Sequence, residues 1–249
     1  MNYKSFPDEY WTQIKSVIAD LKNKGTPLIA AFDADGTLWD IDLGENFFQH
    51  QIDHKQIPLP PDPWTYYLEL KKKNNDPREA YAWLAQINKD LELTQVQAWA
   101  QTAFDQIAPK PIFSEQKKLI DLLLENSIQV YIVTASIKWA VEPGAKALGL
   151  SADHVIGVQT KVINNIITDE KVLPITYRQG KVDALLQHTN QLRPFLCVGN
   201  TIGDYELLQS STDIRLAVSA ASRDDKLFKA ENELFNKAGE QNWWRHRFL

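Results

Sequence analysis

Leu28-Ile-Ala-Ala-Phe-Asp33-Ala-Asp35-Gly-Thr-Leu-Trp39 is an apolar run that ends in two carboxylates one residue apart, followed at once by a glycine. Residues 28–32 read as a buried strand. Side chains alternate along a strand, so residues two apart share a face. Asp33 and Asp35 therefore project together if the extended geometry persists. In open α/β sheets the carboxyl ends of the strands are where ligands bind. Two neighbouring carboxylates repel unless a cation or a proton lies between them. The pattern predicts a Mg²⁺-like site or an acid/base pair. The alternative is an acidic surface turn, since Asp-Gly is frequent in turns. A calcium loop counted from Asp33 needs Gly sixth and Glu twelfth, where this chain has Leu38 and Gly44.

Upstream, Trp11, Ile14, Val17, Ile18 and Leu21 recur at helical spacing, and Lys24-Gly-Thr-Pro27 closes that helix. Downstream, residues 39–112 offer no further good strand. Leu59-Pro-Pro-Asp-Pro63 is a stiff loop. Asp76-Pro-Arg-Glu79 and Thr94-Gln-Val-Gln97 read as two capping boxes, each followed by an apolar helical face. Residues 40–112 are thus expected to form a mostly helical insert. Strands alternate with helices from there on. Residues 128–134, 194–198 and 214–218 read as strands, and 115–125, 137–148, 178–188 and 204–208 as helices. Residues 155–172 read as a hairpin about Asn164-Asn165. This alternation predicts an α/β fold with a Rossmann-like parallel sheet and crossover helices. The core is residues 1–39 and 113–249, with the helical insert between them. Trp243-Trp-Arg-His-Arg-Phe248 reads as a docked tail, with a partner patch as the alternative.

The 249 residues are 44% hydrophobic and 24% charged, with a net charge of -5. That is globular composition without the basic footprint of a nucleic-acid partner. The lone Cys197 lies in an apolar run and is expected to be buried and inert. It excludes an internal disulfide and fits a reducing compartment. The first residues show no apolar signal region, and no stretch reaches the ~20 apolar residues of a membrane span. The expectation is a soluble, cytoplasmic protein. The sequence leaves its oligomeric state open.

Asp33/Asp35, Thr134-Ala-Ser136 and Asn200/Asp204 close three predicted strands, and Lys181 stands at a helix start. These polar groups suit a single piece of chemistry. In this order the chain resembles the haloacid dehalogenase-like hydrolases. Asp33-Ala-Asp-Gly-Thr37 matches their first motif, Thr134 their second, and Lys181 their third. Gly199-Asn-Thr-Ile-Gly-Asp204 matches their acidic fourth motif. The insert just after the first motif resembles the cap of the phosphoserine phosphatase-like branch. Receiver domains also join an Asp, a Thr and a Lys, but they lack such an insert. Dehalogenase chemistry needs no second Asp at position 35.

The resemblance implies a Mg²⁺-dependent phosphatase with Asp33 as nucleophile and Asp35 as general acid and base. It further implies that Thr134 and the backbone of Ala135 bind phosphate, with Lys181 neutralising both phosphate and nucleophile. Asp33, the Asp35 carbonyl and Asn200 would hold the metal, with Asp204 ligating it directly or through a bound water. The chain departs from the family at Asn200, where phosphoserine phosphatases usually carry Asp. An amide oxygen ligates Mg²⁺ without adding charge. Substrate selection is expected just past the first motif. Asp42 matches the phosphoserine phosphatase position that receives the substrate amine. Glu45 matches an acid of the phosphocholine phosphatases, and Trp39 could complete a cation corner. Asp40 stands where the chain enters the insert, so a change there could also act through helix capping. Ser136 reads as a cap of the next helix and Thr201 as a partner of its own loop. The substrate is expected to be a small phosphomonoester, with phosphoserine, phosphoethanolamine and phosphocholine as amine-bearing candidates. A phosphoprotein substrate, or phosphate binding without turnover, are the alternatives.

Overall fold

A computed structural model describes residues 3–25 and 27–249. Met1 and Asn2, part of the stretch expected to lack a signal region, lie outside the described residues. So does Thr26 of the expected helix stop.

Helix α1 (Asp8–Asn23) buries Ile14 and Ile18 and leads into β1 (Ile29–Phe32), which is buried throughout. Four helices follow: α2 (Leu43–Asp53), α3 (Pro63–Lys72), α4 (Arg78–Gln86) and α5 (Leu93–Asp105). Then come α6 (Ser114–Glu125), β2 (Gln129–Ile137), α7 (Lys138–Ala147), β3 (Val155–Val158), β4 (Thr160–Ile163) and β5 (Ile166–Lys171). The chain ends with α8 (Gln179–His188), β6 (Leu196–Gly199), α9 (Tyr205–Ser210), β7 (Ile214–Ser219), α10 (Phe228–Glu240) and β8 (Trp244–Arg247).

Six strands form one parallel sheet in the order β3-β2-β1-β6-β7-β8. The α/β Rossmann-like core expected from the alternation is present. Ala30 and Phe32 of β1 pack into one hydrophobic layer, and Ile29 and Ala31 into the other. This two-sided burial explains why the strand is an unbroken apolar run. From β1 the chain runs outward to β2 and β3, then returns to β6 on the other side. The sheet's switch point therefore lies between β1 and β6, where a crevice opens at the carboxyl ends. The Asp33 N–H donates to Val198 O at 2.9 Å, carrying the ladder one residue beyond β1.

Helices α2, α3, α4 and α5 share a second cluster that includes Phe47, Tyr67, Leu84 and Val96. Trp139 of α7 and Ile167 of β5 complete it. The expected hairpin over 155–172 is divided. Its first part, β3, becomes an edge of the main sheet, and only β4 and β5 pair with each other. Asn164 (φ 51°) and Asn165 (φ 68°) make the turn in the left-handed region that Asn tolerates. Leu93 N–H donates to Asn165 O at 2.7 Å, which attaches the hairpin to the helical layer.

Neither capping box closes as expected. Asp76 accepts from Arg78 N–H at 3.1 Å, but Glu79 turns to Lys171 at 2.6 Å. Thr94 lies inside α5 and accepts from Asn165 Nδ2, while Gln97 donates to Glu142. In both cases the side chain that would close the box bonds instead to the β4–β5 hairpin or to α7.

The strand over 214–218 is not the last. β8 pairs with β7 in parallel, placing Trp244 beside Leu216 and Arg247 beside Ser219. Phe248 is fully buried and stacks on Phe113 at 4.1 Å, so the aromatic tail is docked. Cys197 is buried as expected, and burial pushes its thiol up to about 12. Among the described residues no helix is long and apolar enough to cross a membrane.

Candidate active site

A cavity of about 530 Å³ opens over the β1/β6 crevice. It brings together Asp33, Asp35, Asp42, Glu45, Thr134, Ala135, Lys181, Asn200 and Asp204, whereas Trp39, expected at a cation corner, is buried and does not line it. At its floor Lys181 Nζ donates to Asp33 Oδ1 and to Asp204 Oδ1, each at 2.5 Å. All three residues are buried. Burial, then the Asp204 charge, raise the Asp33 carboxyl above its ordinary range, while Lys181 opposes them. Burial works against the Lys181 charge, but the Asp204 and Asp33 carboxylates outweigh it and hold the ammonium protonated.

The local sequence explains how Lys181 arrives there. It sits in the first turn of α8, whose preceding chain folds back so closely that a Cβ at Gly180 would lie 2.0 Å from Ile175 O. Only glycine fits that approach. Asp204 is held by its own loop: its Oδ2 accepts from Thr201 N–H at 3.0 Å, Asn200 N–H at 3.2 Å and the Thr201 hydroxyl at 3.2 Å. Thr201 is thus a partner of its loop, as expected.

Thr37, quoted in the first motif but assigned no role there, stands between two oxygens. Its hydroxyl lies 3.1 Å from Asp33 Oδ2 and 3.2 Å from Asn200 Oδ1. The carboxylate and the amide oxygen therefore converge, and such hard oxygens suit Mg²⁺. Among the described residues no three His, Cys, Asp or Glu side chains form a metal-binding group. A cation here would have to rest on amide and carbonyl oxygens as well as on Asp33.

Asp35 accepts from three donors. Trp39 Nε1 (2.7 Å) and Leu43 N–H (2.9 Å) reach Oδ1, and Ser136 Oγ (2.5 Å) reaches Oδ2. Burial, then repulsion from Asp42, nevertheless push this carboxyl well above its ordinary range. Ser136 does not cap α7, which starts without a side-chain cap. Strand β2 runs on through Thr134 and Ser136, so the hydroxyl points at Asp35 instead. Ser136 N–H donates to Thr134 Oγ1 at 3.0 Å.

Asp42, not Asp40, caps α2, accepting from Glu45 N–H at 2.8 Å. Asp40 accepts from the Tyr3 hydroxyl at 3.0 Å. Glu45 is not a free acid: Lys71 lies 3.0 Å from Oε1 and Lys226 2.8 Å from Oε2. Burial opposes its charge, yet the two lysines hold Glu45 below its ordinary range. Burial, then Glu45, push Asp42 up to about 6. The Lys71 ammonium stands 5.0 Å from the Tyr67 ring and 5.7 Å from the Tyr81 ring. Glu231, which no sequence pattern singles out, also lines the cavity and accepts from Asn200 Nδ2 at 3.0 Å.

The family model of the haloacid dehalogenase-like hydrolases matches residues 30–209. A phosphorylcholine phosphatase of Pseudomonas aeruginosa is 22% identical over 238 residues, covering 76% of this chain. The chain spans 66% of that relative's length, just under two thirds. Among solved structures, a Bordetella pertussis protein of unknown function superposes with a TM-score of 0.70 at 16% identity. The match covers 90% of this chain and all of that one (100%). A phosphoserine phosphatase carrying a phospho-aspartyl intermediate analogue gives 0.54 at 12% identity, covering 90% and 94% of the two chains. At such identities the structural likenesses speak for the fold. The family match runs from β1 to α9, through the carboxyl ends of β1, β2 and β6 at the crevice, and the chain belongs to the haloacid dehalogenase-like hydrolases.

Proposed function

We propose that the chain is a Mg²⁺-dependent phosphatase of small, amine-bearing phosphomonoesters, working through an aspartyl-phosphate on Asp33. The observation that carries this reading is the buried Asp33–Lys181–Asp204 ion group beneath the cavity. Asp33 attacks phosphorus while the bond to the leaving oxygen breaks. Asp35 gives that oxygen its proton, and burial suits it to an acid's role. Asp35 then takes a proton from the water that attacks the phosphoenzyme, releasing phosphate and restoring Asp33. Lys181 neutralises the nucleophile and the transferring group. Thr134 and the Ala135 backbone orient the phosphate oxygens. Asp33, the Asp35 carbonyl and Asn200 would hold Mg²⁺; Asp204, expected among the ligands, has Lys181 on one carboxylate oxygen and its own loop on the other, and so fixes these instead. The metal, when bound, screens the phosphate charge and stabilises the transferring group.

Residues 40–112 act as the cap over a core of residues 1–39 and 113–249, with the β4–β5 hairpin packed against it. A cavity of about 530 Å³ suits a small molecule better than a protein surface. Two features support an amine on the leaving group. Asp42 lines the cavity together with the Tyr67 and Tyr81 rings, an acid beside aromatic faces as a cation site needs. The Pseudomonas relative is named for phosphorylcholine, a quaternary ammonium ester. Because Lys71 and Lys226 occupy Glu45, Asp42 is the acid left for the substrate.

The test is a panel of phosphoserine, phosphoethanolamine, phosphocholine, sugar phosphates and an aryl phosphate, with Mg²⁺ or EDTA. The amine esters should lead, and EDTA should stop all turnover. Asp42→Asn keeps the α2 cap, because Asn caps as well as Asp. It should raise KM for amine esters and leave the aryl phosphate nearly unchanged. A sugar phosphate leading the panel, or equal losses on both substrate types, would overturn the substrate assignment.

A further inference from the structure

Glu231 lies on α10, outside every motif of the family, and is 1% exposed. Its Oε2 is anchored by three donors: Ser219 Oγ at 2.8 Å, Ala221 N–H at 2.9 Å and Ala220 N–H at 3.0 Å. The carboxylate cannot turn without losing them. Its Oε1 therefore faces one way, toward Asn200 Nδ2 at 3.0 Å. An acceptor there decides the direction of the Asn200 amide: nitrogen toward Glu231, oxygen toward Thr37 and Asp33. Gly36 leaves the room for it. A Cβ at that position would lie 2.0 Å from Asn200 Nδ2 and 3.4 Å from Glu231 Oε1.

We propose that Glu231 is the positioning residue for Asn200. It turns the amide oxygen into the metal site and, from one residue farther out, supplies the negative charge that a carboxylate at position 200 would bring. Asn200 and Glu231 are then a matched pair, and the amide in the fourth motif is not a lesion. The inference rests on the Mg²⁺ reading above.

The pairing predicts a specific pattern in a double-mutant cycle. In E231Q the new amide oxygen satisfies Ser219, Ala220 and Ala221, so its nitrogen meets the Asn200 nitrogen. Asn200 flips, and its NH₂ points at the metal site. In N200D two carboxylates stand about 3.0 Å apart. In N200D/E231Q the new amide donates to the new carboxylate, and every donor is matched again.

Melting temperature in metal-free buffer and Mg²⁺ affinity by calorimetry should be measured for wild type, both single variants and the double variant. E231Q should weaken Mg²⁺ binding by about tenfold or more. N200D should lower the metal-free melting temperature, and the double variant should recover both quantities. Ser219→Ala, which touches only the Oε2 side, should lower stability without changing Mg²⁺ affinity. Unchanged affinity in E231Q, or purely additive effects in the cycle, would overturn the proposal. If E231Q does not fold, the double variant should, and its failure to fold would overturn the proposal equally. If no variant binds Mg²⁺ but the melting temperatures remain coupled, the metal reading fails while the pairing stands.

Discussion

Lys181 is the residue on which the floor of the cavity depends. It holds Asp33 and Asp204 in a buried group at the cavity floor, where solvent screens the carboxylates only weakly. Lys181→Met should therefore cost about 3–5 kcal/mol of stability, because it leaves two uncompensated buried charges. Urea unfolding would measure this, and a loss near zero would contradict the ion group. Ser136→Ala removes a donor to Asp35 and should lower kcat by about 10-fold or more, since a hydrogen bond to a charged group is worth ~1.5–3 kcal/mol. Steady-state rates would detect it. These residues differ in how visible they are in the bare sequence. Asp33, Asp35, Thr134, Lys181, Asn200 and Asp204 sit at strand or helix ends, which periodicity marks. Ser136 and Glu231 take their roles from partners distant in sequence. Only the fold brings Ser136 to Asp35, or α10 beneath the fourth motif. Asp42 and Glu45 are visible as acids, but the lysines that pair with Glu45 come from α3 and the segment before α10.

At the scale of elements, β1, β2, β6 and β7 are legible because each is a short apolar run buried on both faces. β8 is not. Its four residues are Trp-Arg-His-Arg, with only His246 buried, and no alternation can be read from so short and charged an edge. What holds it is packing. Phe248→Ala should cost about 3–5 kcal/mol, as for other fully buried aromatic rings. Thermal unfolding checks this, and a loss below about 1 kcal/mol would mean that the tail is not docked. His246 adds a pH dependence. Its Nε2–H donates to Lys4 O at 3.0 Å, and burial lowers its proton affinity below the ordinary value of 6.5. Below about pH 6.5 the unfolded chain binds a proton that the folded chain refuses, so stability falls as pH drops through this range. His246→Gln should flatten part of that slope between about pH 7.5 and about pH 5.5. Identical slopes for both proteins would remove His246 from the account.

At the scale of the whole molecule, the parallel sheet brings strand ends far apart in sequence to one crevice, and the helical layer roofs it. The hydrophobic pattern reveals both layers. It does not reveal that the β4–β5 hairpin leaves the sheet and joins the helices, because its apolar alternation fits either surface. Mg²⁺ should stabilise the folded protein by mass action, about 2.7 kcal/mol at roughly a hundred times its Kd. A melting curve with and without EDTA would show the shift, and no shift would argue against a metal at the crevice. The most direct test of the central claim is to find the phosphoryl group itself. The protein should be turned over on a phosphomonoester with Mg²⁺, quenched in acid and mapped by mass spectrometry. One phosphoryl group should appear on Asp33, with neither adduct nor turnover in Asp33→Asn. Turnover that never phosphorylates Asp33 and survives its replacement would contradict the central claim.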